Sequence, residues 1–342
     1  PPPNAQVDAL HDAAAAVRNR QMVMNAIANG YSCANQDLTH ANLAGLNLSG
    51  MDFSGAILAG ANLAGAQLQG ADLTSVYAVG ARFDAANLAG SQLTGASLGG
   101  ASFNGAVLRG ANLDASDCSA ANFSGADLSS ASLKAASLIQ AWLQGIRAEQ
   151  LIASHARFDH ANLDNAQLPG ALLEGADFSG ASAQRINLEA AVAPRLNISQ
   201  ADLSGANLVR AQLNDSQTGP GSSLEKARLD HAILENAGWA NARLNEASFI
   251  GVQARNADFS DSALTAARLH RADLRECSFD RALLEGSDLS ASNLMQASFI
   301  HSRMQHCNFD HSNLYNATFK DPDIAGASFR QANLERTLLA AS

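Results

Sequence analysis

The chain has 342 residues, a formal net charge of −10 and 47% hydrophobic residues, of which only a small share is aromatic. Much of the apolar content is alanine, so the interior must be thin and regular rather than a bulky globular core. Acidic and basic residues are interspersed, which argues against a basic nucleic-acid groove. No apolar run approaches the roughly 18 residues of a membrane span.

The first residues, "PPPNAQVDALHD", lack the basic and apolar blocks of a signal peptide and do not begin with Met. The expectation is a processed product or part of a longer protein. Gln6–Asn29 reads as an amphipathic helix, with Val7, Leu10, Ala14, Val17, Met24 and Ala28 on one stripe. Asp8 and Asp12 lie near its start, Arg18 and Arg20 further along, and Gly30 is placed to end it. Residues 1–32 are therefore expected to be a linker and a helix capping the next element, which would run over 33–342.

That element has a five-residue period. In "ILAGANLAGAQLQGADL", Leu58, Leu63, Leu68 and Leu73 recur every fifth residue. The spacing smears leucines around a helix and alternates them across a flat strand, so it suits neither. With each leucine as the central position, the register runs from Leu38 to Thr218 and again from Leu224 to Leu339, and all thirteen phenylalanines are central. The residue two before is usually Ala, the residue one before is polar, and the residue two after is often Gly. Central and Ala positions are two apart and share a side in an extended segment. The Gly, Asn, Asp and Ser between them mark a turn every five residues. The segment must be a coil with both positions inside.

The units "ANLAG", "ADLTS", "ANFSG" and "ADLSG" make the chain resemble the pentapeptide-repeat family. That resemblance implies an all-β solenoid, a right-handed quadrilateral β-helix with twenty residues per coil. At a rise of about 4.8 Å per coil, this gives about 15 coils and a rod of roughly 70 Å. The series Trp239, Phe259, Phe279, Phe299 and Phe319 is spaced by twenty and is expected to stack as one wall of the core. Where the central residue is small, the alanine site is often large: Val76 with Ala78, Ile146 with Ala148, Leu151 with Ala153, Val252 with Ala254. Ala181, Ala183, Ala191 and Ala193 lack this exchange, so 181–193 is expected to be a weak layer. "QTGPGSS" carries one extra residue at 218–224, read as a bulge at a corner turned by Gly219, Pro220 and Gly221 rather than as a binding loop. "ERTLLAAS" stops in mid-pattern without a helix, and a second copy or further chain is expected to cover it, which makes a homodimer through the C-terminal coil one expectation.

No catalytic or metal constellation emerges, and no cofactor is expected. His301, His306 and His311, like His155 and His160, fall on successive corners and cannot converge on one ion. Cys33, Cys118, Cys277 and Cys307 show no CxxC spacing. Cys277 and Cys307 are inward and thirty residues apart, too far for a disulfide. The surface is what remains. Some proteins of the resembled family bind DNA gyrase by mimicking duplex DNA. Here carboxylates such as Asp37, Asp52, Asp127 and Asp202 scatter over all four faces among arginines, so that reading is the alternative. The preferred reading is a non-enzymatic scaffold or spacer for a protein partner. The family's breadth suggests a bacterial effector or secretion-system module, cytoplasmic or exported. Two candidate partner sites stand out: the outward apolar residues Ile139, Trp142, Ile152 and Leu172, and a column of Arg255, Arg275, Met295 and Tyr315.

Overall fold

The computed structural model describes residues 3–341, with side chains described from 14 to 339. It divides into two compact units, residues 1–162 and 163–342. Helix α1 (Pro3–Asn29) opens the first unit and coils fill the rest of it. Coils make up the second unit, which includes the three-residue strands β1 (Ser298–Ile300) and β2 (Thr318–Lys320) and ends in a 3-10 turn at Leu338–Ala341.

In both units each five-residue segment contributes one parallel bridge to the segment twenty residues later, as in Asn42–Asn62 and Asp258–Ser278. Four segments thus make one coil. β1 and β2 pair in parallel in the same register, Phe299 opposite Phe319. Residues 71–75 show why five residues close the unit, because every backbone N–H finds an acceptor. Ala71 N donates to Leu68 O (3.0 Å) across the turn, and Asp72 N to Met51 O (2.9 Å) in the preceding coil. Leu73 N and Ser75 N donate to Gln92 O and Thr94 O (2.7 and 2.9 Å) in the following coil. The remaining donor, Thr74 N, is taken by the Asp72 carboxylate at 2.9 Å. That bond explains the preference for Asp or Asn just before the central residue.

The residue two after the centre takes a left-handed φ, +63° at Gly100 and +55° at Ala120. Glycine adopts it without strain, and a Cβ at Gly100 would meet nothing within 4 Å. At Gly60 the same atom would lie 2.6 Å from Nδ1 of His40, which lies over it.

Central residues and their small partners form the core. Phe83, Phe103 and Phe123 stack at 4.8 and 4.7 Å in the first unit. In the second, Phe259, Phe279, Phe299 and Phe319 stack at 5.3, 5.3 and 5.1 Å. Trp239 does not continue this column. It meets Phe259 at 83° because its indole Nε1 donates to Ser216 Oγ at 2.9 Å, which tilts the ring. The layer at 181–193, expected to be weak, is packed around its coil. Within that coil Ile186 and Leu196 occupy the usual alanine sites, all eight inward side chains are buried, and the two walls lined by alanine pairs alternate with two lined by large pairs. Volume is conserved around the coil rather than within each segment.

The extra residue near 218 is absorbed in one step. Bridges change from a spacing of twenty to twenty-one, Asp202–Ser223 and Gln217–Gly238, and then return to twenty. Gly221 turns the corner at φ +91°. Buried Ser222 secures it: its hydroxyl accepts from Gly219 N and Gln200 N and donates to Ile198 O, each at 3.0 Å.

α1 starts at Pro3, earlier than expected, and ends at Gly30 (φ +68°) with Tyr31 N donating to Ala26 O at 3.0 Å, the C-terminal arrangement that a left-handed glycine permits. Its buried stripe is not the expected one. Asn19, Val23 and Ala26 face inward, whereas Ala14, Met24 and Ala28 are exposed and Val17 is 72% exposed. The side chains of Val7, Leu10, Asp8 and Asp12 lie outside the described residues. Asn19 Nδ2 donates to Thr39 O at 3.0 Å, and the Arg20 guanidinium to Asn42 O. These polar anchors to the first coil set the helix's rotation. At the other end, where no helix was expected, Leu338–Ala341 forms a short 3-10 turn. Thr337 Oγ1 donates to Leu334 O (2.7 Å) just before it. Ile324, Phe329 and Leu334 are half-buried there, unlike earlier central residues.

Candidate protein-binding surfaces

Trp142 occupies a position that elsewhere on its wall of the first unit is polar. It bridges Asn122 on one side and Asn162 on the other, and 57% of it is exposed. The indole has no acceptor to offer the backbone, as Asn122 Oδ1 does to Ser124 N at 2.9 Å. Trp142 instead borders a shallow depression of about 260 Å³ with Gln140, Ala141, His160 and Asn162.

Ile139 and Ile152, expected to join it, do not. Ile139 is half-buried before the Gln140 corner, so it lies on the preceding wall. Ile152 follows Trp142 by ten residues, half a coil, and sits half-buried on the opposite wall, bridged to Ser132. Leu172 belongs to the second unit, where it is exposed and bridges Val192. Ile139, Trp142 and Ile152 are separate features, because an offset of five residues changes the wall.

The column Arg255, Arg275, Met295 and Tyr315 lies on one wall of the second unit, in successive coils. Asn256 N donates to Arg275 O, Glu276 N to Met295 O and Gln296 N to Tyr315 O. Its cations are occupied: Arg255 pairs with Glu276 (2.7 Å) and Arg275 with Asp273 (2.5 Å). Arg336 lies 5.4 Å over the Tyr315 ring, and Met295 and Tyr315 are half-buried.

One exposed cluster escaped the sequence reading. Ile57 and Tyr77 bridge each other, Val79 follows, and all three are exposed, Tyr77 by 49%. Their signal was a spacing of twenty at a position otherwise polar.

The histidines stand at left-handed corners, His301 at +56°, His306 at +59° and His311 at +62°. His301 Nδ1 is 3.7 Å from the Asp321 carboxylate. Among the described residues no group of three or more His, Cys, Asp or Glu is placed to hold a metal. The cysteines are free and buried, and burial pushes the Cys118, Cys277 and Cys307 thiols up to about 12. Such thiols are packing groups rather than nucleophiles. No described helix is long and apolar enough to cross a membrane.

A coil of four five-residue sides with an aliphatic and aromatic core defines a repeat solenoid of the β-helix class, whose outer surface is its accessible chemistry. The family model for pentapeptide repeats matches residues 37–74, 81–117, 111–147, 156–192, 184–216 and 222–261, and a pentapeptide repeat region matches 272–342. The chain belongs to the pentapeptide repeat family. These models describe repeats and indicate no catalytic family. No curated protein matches the chain. Among solved structures it is similar to HetL, a pentapeptide repeat protein involved in heterocyst differentiation regulation from the cyanobacterium Nostoc sp. Strain PCC 7120. Identity is 23% over 92% of this chain and 94% of that one, with a TM-score of 0.21. It is also similar to QnrB1, a plasmid-mediated fluoroquinolone resistance protein (16% identity, 62% of this chain and 92% of that one, TM-score 0.29). A third is a pentapeptide repeat protein of the Arabidopsis thaliana thylakoid lumen (29%, 36% and 72%, TM-score 0.25).

Proposed function

We propose that the chain is a non-enzymatic scaffold that binds a protein partner. The observation that carries this is Trp142: a large, exposed aromatic at a site where the repeat favours a small polar residue that ties down its own turn. Local rules are broken mainly where function requires it, and Trp is a favoured interface anchor. In this reading residues 1–32 are linker and cap, with α1 covering the first coil, and residues 33–342 form about 15 coils at about 4.8 Å per coil. The half-buried Ile324, Phe329 and Leu334 make the last coil a surface for a second copy. The free buried thiols suit a reducing compartment, which favours the cytoplasm, with delivery as a bacterial effector or secretion-system component as a variant.

The alternative, a DNA-mimicking modulator of gyrase, calls for unbroken acidic columns. The Asp127 carboxylate is instead approached by Arg109 and Arg147, and Asp261 by Arg281. A photo-crosslinking residue at position 142 tests the proposal directly. It should yield a discrete adduct with a partner, whereas the same group at Asn62 on the same wall should yield none. Equal labelling at both positions would remove the Trp142 site, and inhibition or protection in a gyrase supercoiling assay would favour the alternative.

A further inference from the structure

The surface around the Trp142 indole offers hydrogen-bond donors whose own acceptors are already spent. Asn122, one coil earlier on the same wall, gives its Oδ1 to Ser124 N (2.9 Å), and Gln144 gives its Oε1 to the Ser124 hydroxyl (3.0 Å). These contacts fix which end of each amide is engaged. The NH2 groups of Asn122 and Gln144, like the indole Nε1 of Trp142, have no acceptor among the described residues. The backbone acceptors beside them are used as well. Asn122 O, Trp142 O and Gln144 O accept from Phe103 N, Phe123 N and Gly125 N at 2.6, 2.7 and 3.0 Å, the bonds that tie successive coils together.

Charge is missing too. The depression beside the indole is lined by Gln140, Ala141, His160 and Asn162, with no carboxylate among them. A basic partner would find no ion pair here, although the chain as a whole carries a net charge of −10. An ordinary extended peptide would bring one N–H per residue, and around the indole those groups would lack acceptors.

We propose that Trp142 docks a proline-rich segment of a protein partner in the polyproline II conformation. Proline brings a carbonyl and no N–H, which complements a surface of donors, and its ring packs on an aromatic face. The extended helix is preformed, so little order has to be imposed on binding. Its pitch suits the wall. One turn, three residues at about 3.1 Å each, covers about 9 Å, close to the two coils that separate Asn122 from Asn162 at about 4.8 Å per coil. A segment laid along the stacking direction would meet the Asn122 and Gln144 amides, cross the indole and set a pyrrolidine ring in the depression. The inference rests on the reading of Trp142 as a partner anchor and adds the chemistry of that partner.

The probe is fluorescein-labelled decaproline, followed by anisotropy against the full chain. Saturable binding is expected, changing less than about twofold between 0.05 and 0.5 M salt because no ion pair is involved. Of the two tryptophans Trp239 is fully buried, so acrylamide-quenchable emission reports Trp142, and unlabelled decaproline should protect it. Asn122→Asp and Gln144→Glu keep the oxygen that Ser124 uses and lose only the NH2 donor. Each should weaken binding roughly fivefold or more while the denaturation midpoint stays at the wild-type value. Trp142→Asn should weaken it roughly tenfold or more. Asn87→Asp, which makes the same kind of turn bond to Ala89 N (3.2 Å) on another wall, should stay within about twofold. Equal binding of a Gly-Ser decapeptide overturns the proposal, as do unchanged Asn122→Asp and Gln144→Glu variants. Stronger protection of the indole by an Arg-Gly decapeptide or by a cello-oligosaccharide overturns it in favour of those ligands. Failure of decaproline alongside intact crosslinking at 142 rejects the proline-rich partner and leaves the scaffold reading standing.

Discussion

At the scale of single residues, side chains just before each centre complete the backbone's hydrogen bonding. Asp202 accepts from Ser204 N (3.0 Å), Ser204 Oγ (2.5 Å) and Gln184 Nε2 (2.7 Å). Asp202→Ala should lower stability by about 1–2 kcal/mol, while Asp202→Asn, which keeps the acceptor, should cost less; urea midpoints of the two variants check this. The same bonds set a pH dependence. Burial would raise the Asp202 pKa, but the Ser204 and Gln184 bonds and Arg243 outweigh it and hold the carboxyl below its ordinary range. At Asp52 the hydroxyls of Ser54 and Ser32 lead. Groups with lowered folded pKa values contribute stability that is complete above the unfolded value of about 3.9 and is lost as pH falls through the folded values. The denaturation midpoint should therefore hold from neutral pH down to about 5 and drop from about 4 to 2. The Asx preference was legible in the sequence. A second device was not: Asp114, one after its centre, takes the Ser132 hydroxyl (2.5 Å) and Lys134 N (2.9 Å) of the next coil. Asp164 with Ser182 and Asp310 with Ser328 repeat it. Its signature is Asp followed by Ser eighteen residues later, an offset that does not stand out against a period of five.

Among the elements, α1 and the register break show where periodicity stops informing. The helix was legible as a helix, but its facing was not, because Asn19 and Arg20 anchor it to carbonyls that only the folded first coil presents. Val23→Ala should cost about 2 kcal/mol from two buried methyl groups and the space they leave. Val17→Ala should change stability by less than about 0.5 kcal/mol. Thermal denaturation separates the two, and a larger effect at Val17 would restore the stripe expected from sequence. At the break, the sequence showed the extra residue but not the serine that stitches it. Ser222→Ala would strand Gly219 N and Gln200 N, while Ile198 O keeps Ala201 N, and should lower stability by about 2–4 kcal/mol. Hydrogen exchange should quicken first at Gln200 and Gly219.

For the whole molecule, the repeat made the fold readable because each segment obeys the same two-position packing rule. The surface was less readable, because an offset of five changes the wall and an offset of twenty preserves it. Ile139, Trp142 and Ile152 were grouped by closeness in sequence and are parted by walls, while Ile57 and Tyr77 are neighbours that twenty residues of sequence separate. Conservation of volume around the coil also predicts that amides at 181–193 exchange as slowly as those beside Phe259 and Phe279. Faster exchange would show that alanine pairs loosen their walls despite Ile186 and Leu196.

The central claim is that Trp142 is kept for binding and not for stability, and Trp142→Asn tests it most directly because Asn stands at the same position in the coils bridged to it. Denaturation and partner crosslinking should be measured on the same preparations, with the crosslinker introduced at Gln140. The account predicts a midpoint equal to or above that of the wild type, together with loss of the adduct. A lowered midpoint with the adduct retained would contradict it and make the indole a structural residue.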